Sequence, residues 1–173
     1  MSRDHGPQES RECKEDGDVL RPDHVQYLAG ADALCADEAA AAGLGGKFLA
    51  LLATSTASAA SRFADLDGAV WVRLDGVPLN RAGESPFDEG GLLAPLNVDS
   101  TGTYNLSGYV TVGAHGPRAL ALPALTGCRD WTSVACTDVV LSVGDPSILG
   151  DWFRPLRATP FPCGTISVYC LEH

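Results

Sequence analysis

Six cysteines constrain the fold of this 173-residue chain more than any other feature. They lie far apart, at positions 13, 35, 128, 136, 163 and 170, with no close CxxC pair and only four scattered histidines. Structural zinc sites usually bring their ligands in such close pairs. An even number of widely spaced cysteines is instead typical of disulfides in an oxidising compartment. The spacing therefore favours disulfide bonds over a metal site.

The remaining composition is that of one globular domain. The chain is 45% hydrophobic and 20% charged, a balance that excludes a disordered chain, and it is long enough to bury a core. No apolar stretch approaches the roughly 20 residues of a membrane-spanning helix, so we expect no membrane insertion. The segment from Met1 to Glu15 is polar and lacks the apolar region of a signal peptide.

The charge excludes several classes of partner. Twelve basic and 22 acidic residues give a net charge of -10. A surface this acidic repels phosphate backbones and other polyanions, so we expect no binding to nucleic acid, heparin-like polymers or anionic membranes. The same charge favours solubility outside the cell.

An alanine-rich stretch early in the chain predicts a helix that carries a cysteine. The sequence there reads GADALCADEAAAAGLGGKFLALL, and the composition from Ala31 to Ala42 strongly favours helix. Asp32 lies where it complements the N-terminal dipole, and Gly43 is suited to end the helix. Cys35 is expected to face inward. It falls near one stripe with Leu34, Glu38 and Ala42.

The rest of the chain predicts short strands and long loops. A strand is expected over Lys47–Thr54, followed by a second short helix and then by a hairpin that turns at Asp75 and Gly76. Glycine, proline, asparagine and aspartate dominate Arg81–Ser107, which indicates loops. The closing GTISVYC alternates like a half-buried strand and places Cys170 on its inward face.

Two inward cysteines therefore lie near opposite ends of the chain. Joining Cys35 on the first helix to Cys170 on the last strand is the simplest pairing, and it would close a loop of over 100 residues. Such a bond contributes about 4–5 kcal/mol if it acts by restricting the unfolded chain. Six cysteines still allow 15 pairings, so the residues alone leave the choice open.

Motifs at both ends of the chain resemble a known family. They are Gly30-Ala31-Asp32 ahead of Cys35, the continuation ADEAAAAGLGGKFLALL, the CRDWTS that begins at Cys128, and the ending PCGTISVYCLE. These motifs are similar to the endostatin domain of multiplexin collagens and to its bacterial extracellular, C-type-lectin-like relatives. The resemblance implies a disulfide-stapled α+β domain. In it, two short helices lie beside a twisted, mostly antiparallel sheet with a loop-rich half.

The resemblance also implies a disulfide pattern and a domain division. In that family the first cysteine bonds the last, and the inner two bond each other. Carried over, and completed by exclusion, this gives Cys35 with Cys170, Cys128 with Cys163, and Cys13 with Cys136. We expect a polar lead-in over residues 1–23 and the endostatin-like domain over 24–170. Residues 171–173 resemble the start of a vector-encoded histidine tag.

No catalytic signature occurs in the sequence. The motifs GxSxG, HExxH and GxxxxGKS/T are missing, and no GxGxxG follows a strand, so we expect no enzyme. His5 and His24 do not match the histidine-rich start through which collagen-type endostatin binds zinc, so no metal site is carried over. Calcium stays an alternative, because carboxylates of the right kind are present. They are Asp99, Asp130, Asp138 and Asp145.

These inferences predict a non-catalytic extracellular domain, secreted or on the cell surface, that recognises a protein or a glycan through its loop-rich half. The candidate binding residues are Trp131, Trp152, Asp99 and Asp130. One alternative is a structural or display domain with no ligand of its own. The other is an extracellular hydrolase without a recognised motif. A binder requires an exposed patch, and an enzyme requires a pocket with a perturbed acid or base.

Overall fold

The computed structural model describes residues 28–106, 109–121, 131, 140–141, 143–150, 152–153, 159–160 and 167–173. Within these residues the fold is α+β, with one α-helix, one 3₁₀ helix and three two-stranded antiparallel sheets. The coarse fold prediction is therefore confirmed, although the described strands form three small sheets instead of one. The expected lead-in segment lies outside the described residues.

Helix α1 spans Leu28–Ala41 and ends where the sequence predicts. Gly43 has a φ of +70°, the left-handed conformation that glycine adopts without steric cost. Its N–H donates to Ala40 O at 3.0 Å, and the N–H of Leu44 donates to Ala39 O at 2.9 Å. These two bonds form a Schellman motif, which satisfies carbonyls that the helix end would otherwise leave unpaired.

The buried face of α1 differs from the predicted stripe. Cys35 is fully buried as expected, but its buried neighbours are Ala31 and Ala39, four residues away on either side. Leu34 is 40% exposed. Glu38 and Ala42 are exposed as well. The stripe is wrong because only the small side chains at this four-residue spacing face the sheet.

Strands β1 (Phe48–Ala50) and β6 (Cys170–Glu172) form the central sheet. They pair antiparallel, with Ala50 opposite Cys170. The buried Cys35 of α1 packs in the same cluster as these two residues. Apolar residues of the run FLALLA alternate between two cores. One core holds Ala50 and Leu52 with α1, and the other holds Leu51 and Ala53 with Phe63.

Both faces of this sheet thus pack against a core, which explains why the run after α1 is continuously apolar. The final strand is partly buried, as its alternation predicts, but it has core contacts on both of its faces. Tyr169 points away from α1 yet is only 5% exposed. Its hydroxyl donates to Trp152 O at 2.9 Å.

The last three residues belong to the fold. Leu171 pairs with Leu49, Glu172 pairs with Phe48, and the N–H of His173 donates to Lys47 O at 2.6 Å. The ladder therefore runs past Cys170, where the sequence predicts that the domain ends. The ladder continues because β1 offers backbone partners to the segment that follows Cys170.

Short irregular elements connect the rest of the described chain. The predicted second helix is a 3₁₀ helix over Ala60–Leu66, and its Phe63 is fully buried against Trp71 and Phe87. The hairpin is also present. It is held by a bridge between Val72 and Pro78 and turns at Gly76, which has a φ of +85°.

Residues 81–106 contain no helix and no strand, as predicted, apart from one isolated bridge. The buried side chain of Asn80, just before this segment, supplies hydrogen bonds that a neighbouring strand would otherwise make. Its side-chain amide donates to Ala69 O and Glu84 O, both at 2.7 Å, and its oxygen accepts from Trp71 N at 2.8 Å. A buried side chain thus satisfies backbone groups that a loop would leave unpaired.

The remaining strands have two residues each. Strand β2 (Val110–Thr111) pairs antiparallel with β4 (Val143–Gly144), and β3 (Val140–Leu141) pairs antiparallel with β5 (Thr159–Pro160). A Cβ at Gly144 would lie 1.9 Å from Trp152 O, so only glycine allows this approach.

Candidate functional site

A disulfide joins α1 to β6. The sulfurs of Cys35 and Cys170 are 2.05 Å apart, their Cα atoms 5.4 Å, and they are separated by 135 positions in the sequence. This confirms the first expected pair. The other four cysteines lie outside the described residues. They are Cys13, Cys128, Cys136 and Cys163.

One edge of the central sheet is closed by an ion pair. The N–H of Ala50 donates to Asp32 Oδ1 at 2.9 Å, and the guanidinium of Arg62 donates to Ala50 O. Arg62 Nη2 and Asp32 Oδ2 are 2.6 Å apart. The carboxylate accepts and the guanidinium donates, so the pair supplies the hydrogen bonds that a neighbouring strand would make to β1.

Asp32 therefore has a different role from the one predicted. The helix begins at Leu28, so Asp32 lies one turn inside it and not at its N-terminus. Its carboxylate is turned toward β1 and Arg62.

The opposite edge of the same sheet has no such cover in the described part of the chain. His173 N bonds Lys47 O and Leu51 N bonds Tyr169 O, which makes these residues the hydrogen-bonded pairs of the antiparallel ladder. By the alternation of such ladders, the N–H and C=O of Cys170 and Glu172 point away from β1. No described residue bonds these groups. Within the described part of the chain they therefore form an open strand edge.

A cleft of about 790 Å³ lies along this open edge. Residues 167–173 line one side, and α1 contributes the flank residues Leu34 and Glu38. The other side is lined by residues 69–74 of the hairpin and by residues 96–100 of the following loop. A volume of this size falls within the range of small-molecule and peptide sites.

The hairpin presents an apolar surface to the cleft. Val70, Val72 and Leu74 are 48%, 55% and 48% exposed, respectively. Exposed large apolar side chains are unremarkable singly but indicate an interaction surface when they adjoin in a concave site. The backbone groups of Trp71 and Arg73 make the hydrogen bonds to the second strand of the hairpin. The N–H and C=O of Val72 therefore point to the opposite side, where no described residue bonds them.

A polar cluster holds this hairpin in place. Arg73 donates two bonds to the Asp75 carboxylate, at 2.9 and 2.6 Å, and another to Asn97 Oδ1 at 2.8 Å. Tyr104 donates its hydroxyl to Asp75 Oδ2 at 2.6 Å, and its ring lies under the Arg73 guanidinium. Hydrogen bonds from Arg73 and, second, from Tyr104 hold the pKa of Asp75 well below its usual value. We call Arg73, Asp75 and Tyr104 the clasp.

The charges that line the cleft are mainly negative. Glu38, Asp99 and Glu172 all contribute carboxylates. The one described arginine in the lining is Arg73, whose charge is balanced by Asp75 within the clasp. The cleft therefore favours a cationic or neutral occupant over an anion.

The residues predicted to bind are mostly placed elsewhere. Trp131 is 3% exposed, and its Nε1 donates to Ala53 O at 2.8 Å. Trp152 is 7% exposed and packs edge-on against Phe153 and Tyr169. Both tryptophans are core residues, so neither offers a binding surface. Asp130 lies outside the described residues.

Asp99 does line the cleft, but its carboxylate shapes a turn. Asp99 Oδ1 accepts from Thr101 N, Thr101 Oγ1 and Thr103 N at 2.9, 2.7 and 2.9 Å. The Thr101 hydroxyl, and after it the Thr103 amide, hold the pKa of Asp99 below its usual value. Among the residues that the structure describes, no group of three His, Cys, Asp or Glu side chains is placed to hold a metal ion.

Sequence reasoning missed the cleft. The alternation of VWVRL is the available signal, since it places Val70, Val72 and Leu74 together on one side of a hairpin strand. Alternation alone does not tell whether that side meets a core or a cleft.

The sequence matches no model of a known protein family, and no curated protein matches it. In the described part of the chain, no helix has the length and apolar character needed to span a membrane. The case for a function therefore depends on the cleft and on the strand edge beside it.

Proposed function

We propose that this chain is a non-catalytic extracellular domain that binds a partner protein through the cleft beside β6. The observation that carries the proposal is the coincidence of three features in one concavity. An open strand edge, exposed apolar side chains at Val70, Val72 and Leu74, and a rim of carboxylates all line it. Protein-binding sites combine exposed apolar groups with unsatisfied backbone groups in this way.

The chemistry of the cleft supports binding over catalysis. A general acid at neutral pH needs a carboxyl whose pKa is raised. The pKa values of Asp99, which lines the cleft, and of Asp75, which lies in the clasp beside it, are lowered instead, and both carboxylates accept hydrogen bonds from neighbouring donors. They stiffen the hairpin and the loop that form one wall of the site.

The proposed architecture is an endostatin-like, C-type-lectin-like domain. The support is the Cys35–Cys170 bond, which matches the first-to-last pairing implied by the sequence motifs. A disulfide of this kind also fits the oxidising conditions outside the cell. The acidic surface gives no support to heparin or nucleic acid as a partner.

Panning of a displayed random-peptide library against the folded protein tests this function. Enriched peptides are expected to bind the wild-type protein and to lose affinity for Val72→Glu, which places a charge in the apolar wall. The matched control is Leu120→Glu, because Leu120 is 51% exposed but does not line the cleft. Equal losses in both variants, or no enrichment, would contradict the proposal. A glycan array with and without EDTA, read on the same variants, identifies a sugar ligand instead.

A further inference from the structure

Resting on the proposed function, we infer that the partner segment is an extended peptide, basic and apolar in alternation, that adds to the central sheet along the open edge of β6. The peptide pairs its backbone with the outward N–H and C=O groups of Cys170 and Glu172. Its apolar side chains contact the hairpin wall, and its basic side chains meet the carboxylates of the cleft.

The edge has the geometry for such pairing. Residues 167–173 line the cleft, and β6 pairs with β1 on its other side. An added strand lies about 4.8 Å from its neighbour and spans about 3.3 Å per residue. The outward residues of β6, Cys170 and Glu172, therefore offer two N–H donors and two C=O acceptors to an added strand.

Among the residues that the structure describes, the edge also lacks the features that proteins use to prevent pairing. Exposed edges are usually blocked by proline, by lysine, by a bulge or by a covering element. The β1 edge has a cover of this kind in Asp32 and Arg62. In the described residues, the β6 edge has only Glu172 as a charge. An acidic residue at that position repels another acidic strand, including a second copy of this chain, but attracts a basic one.

Charge and apolar contacts specify the occupant. Glu38 and Glu172 are both exposed and both line the cleft. A lysine or arginine of the bound strand can reach them while its neighbouring residues face the wall of Val70, Val72 and Leu74. Since successive side chains of a strand point to opposite faces, a peptide that alternates apolar and basic residues fits both requirements.

Fluorescence anisotropy with synthetic labelled peptides tests the inference. The probe is a peptide of alternating valine and lysine. Two analogues carry backbone N-methyl groups, either on the valines or on the lysines. Because one set of amides faces β6 and the other faces away, we expect only one analogue to lose affinity, by about tenfold or more. A valine–glutamate peptide is expected to bind at least about tenfold more weakly than the lysine peptide.

Variants of the protein identify the edge. Glu172→Pro removes an outward N–H that makes no bond to β1, and proline is tolerated at such edge positions. It is expected to weaken binding beyond the effect of the matched Glu172→Ala, which keeps the N–H and removes the same charge. Circular dichroism checks that both variants fold.

The outcomes separate the inference from the proposed function. If both N-methylated analogues bind as well as the parent while Val72→Glu abolishes binding, the cleft binds peptides without strand pairing, and the inference is wrong. If the valine–lysine peptide does not bind and library panning enriches nothing on the wild-type protein, the proposed function falls together with the inference. Loss confined to one analogue and to Glu172→Pro supports both.

Discussion

The two edges of the central sheet are finished in opposite ways. At the β1 edge, Asp32 and Arg62 bond the N–H and C=O of Ala50, so side chains from α1 and from the 3₁₀ helix stand in for a strand. At the β6 edge, the equivalent groups of Cys170 and Glu172 face a cleft and meet no described residue. The two edges therefore differ in whether side chains bond their outward backbone groups. The β6 edge, where no described side chain does so, is the surface that we infer pairs with a partner strand.

The contrast also has an energetic basis. Ala50 is fully buried, so its backbone groups would be costly without partners, and the ion pair removes that cost. Glu172 is exposed, so its outward groups have access to water in the absence of a partner. The closed edge therefore contributes stability, whereas the open edge is available for binding at little cost to the fold.

Removing the disulfide that spans the sheet is expected to have the largest effect. Replacing both Cys35 and Cys170 by alanine releases a loop closed across 135 positions, which lowers the free energy of unfolding by about 5 kcal/mol. Urea denaturation followed by tryptophan fluorescence measures the change. A loss below about 1 kcal/mol would show that the ends of the domain are held by packing alone.

Breaking the closed edge should be the next largest effect. Asp32→Ala leaves the buried N–H of Ala50 without an acceptor and Arg62 without its counter-charge, so we expect a loss of about 2–3 kcal/mol. Asp32→Asn keeps an oxygen for Ala50 and should lose less. Equal losses in the two variants, measured by urea denaturation, would assign the stabilisation to charge and not to the edge bond.

The clasp that supports the cleft wall should respond to acid. Hydrogen bonds from Arg73 and Tyr104 lower the pKa of Asp75 in the folded protein. The stability that Asp75 contributes is therefore fully present above the pKa of this carboxyl in the unfolded chain, about 4, and is lost as the pH falls below that value. The pH dependence of unfolding below about pH 4 should be shallower in Asp75→Asn than in the wild type. Identical profiles would contradict the assignment.

Changing the open edge should affect stability least. Glu172→Ala removes an exposed side chain whose backbone groups point away from β1, so we expect a change within about 0.5 kcal/mol. Measured beside Asp32→Ala, this variant compares what one carboxylate side chain contributes at each edge. A loss as large as that of Asp32→Ala would mean that the Glu172 side chain is itself bonded within the domain and is not available to a partner.

Sequence reasoning recovered the parts of the fold that depend on local pattern. The helix, its end at Gly43 and the inward directions of Cys35 and Cys170 follow from composition and periodicity. The candidate binding residues Trp131 and Trp152 are buried, and the loop residues around Trp152 do not indicate that its ring packs against Tyr169.

The edges could not be predicted because they depend on contacts between distant residues. Asp32 and Arg62 are 30 positions apart, and both meet Ala50 only after α1 and the 3₁₀ helix have packed on the sheet. In the sequence, Asp32 has the features of a helix-start residue, and nothing nearby distinguishes the two roles.

Hydrogen exchange of individual backbone amides, followed by NMR on the unliganded protein, tests the contrast between the edges most directly. The N–H of Ala50 is bonded to Asp32, and the N–H of Leu171 lies in the ladder to β1. Both should exchange slowly. The N–H groups of Cys170 and Glu172 should exchange faster by about tenfold or more, the equivalent of one missing hydrogen bond. If Cys170 and Glu172 are protected as strongly as Ala50, the β6 edge is already paired and the account is wrong.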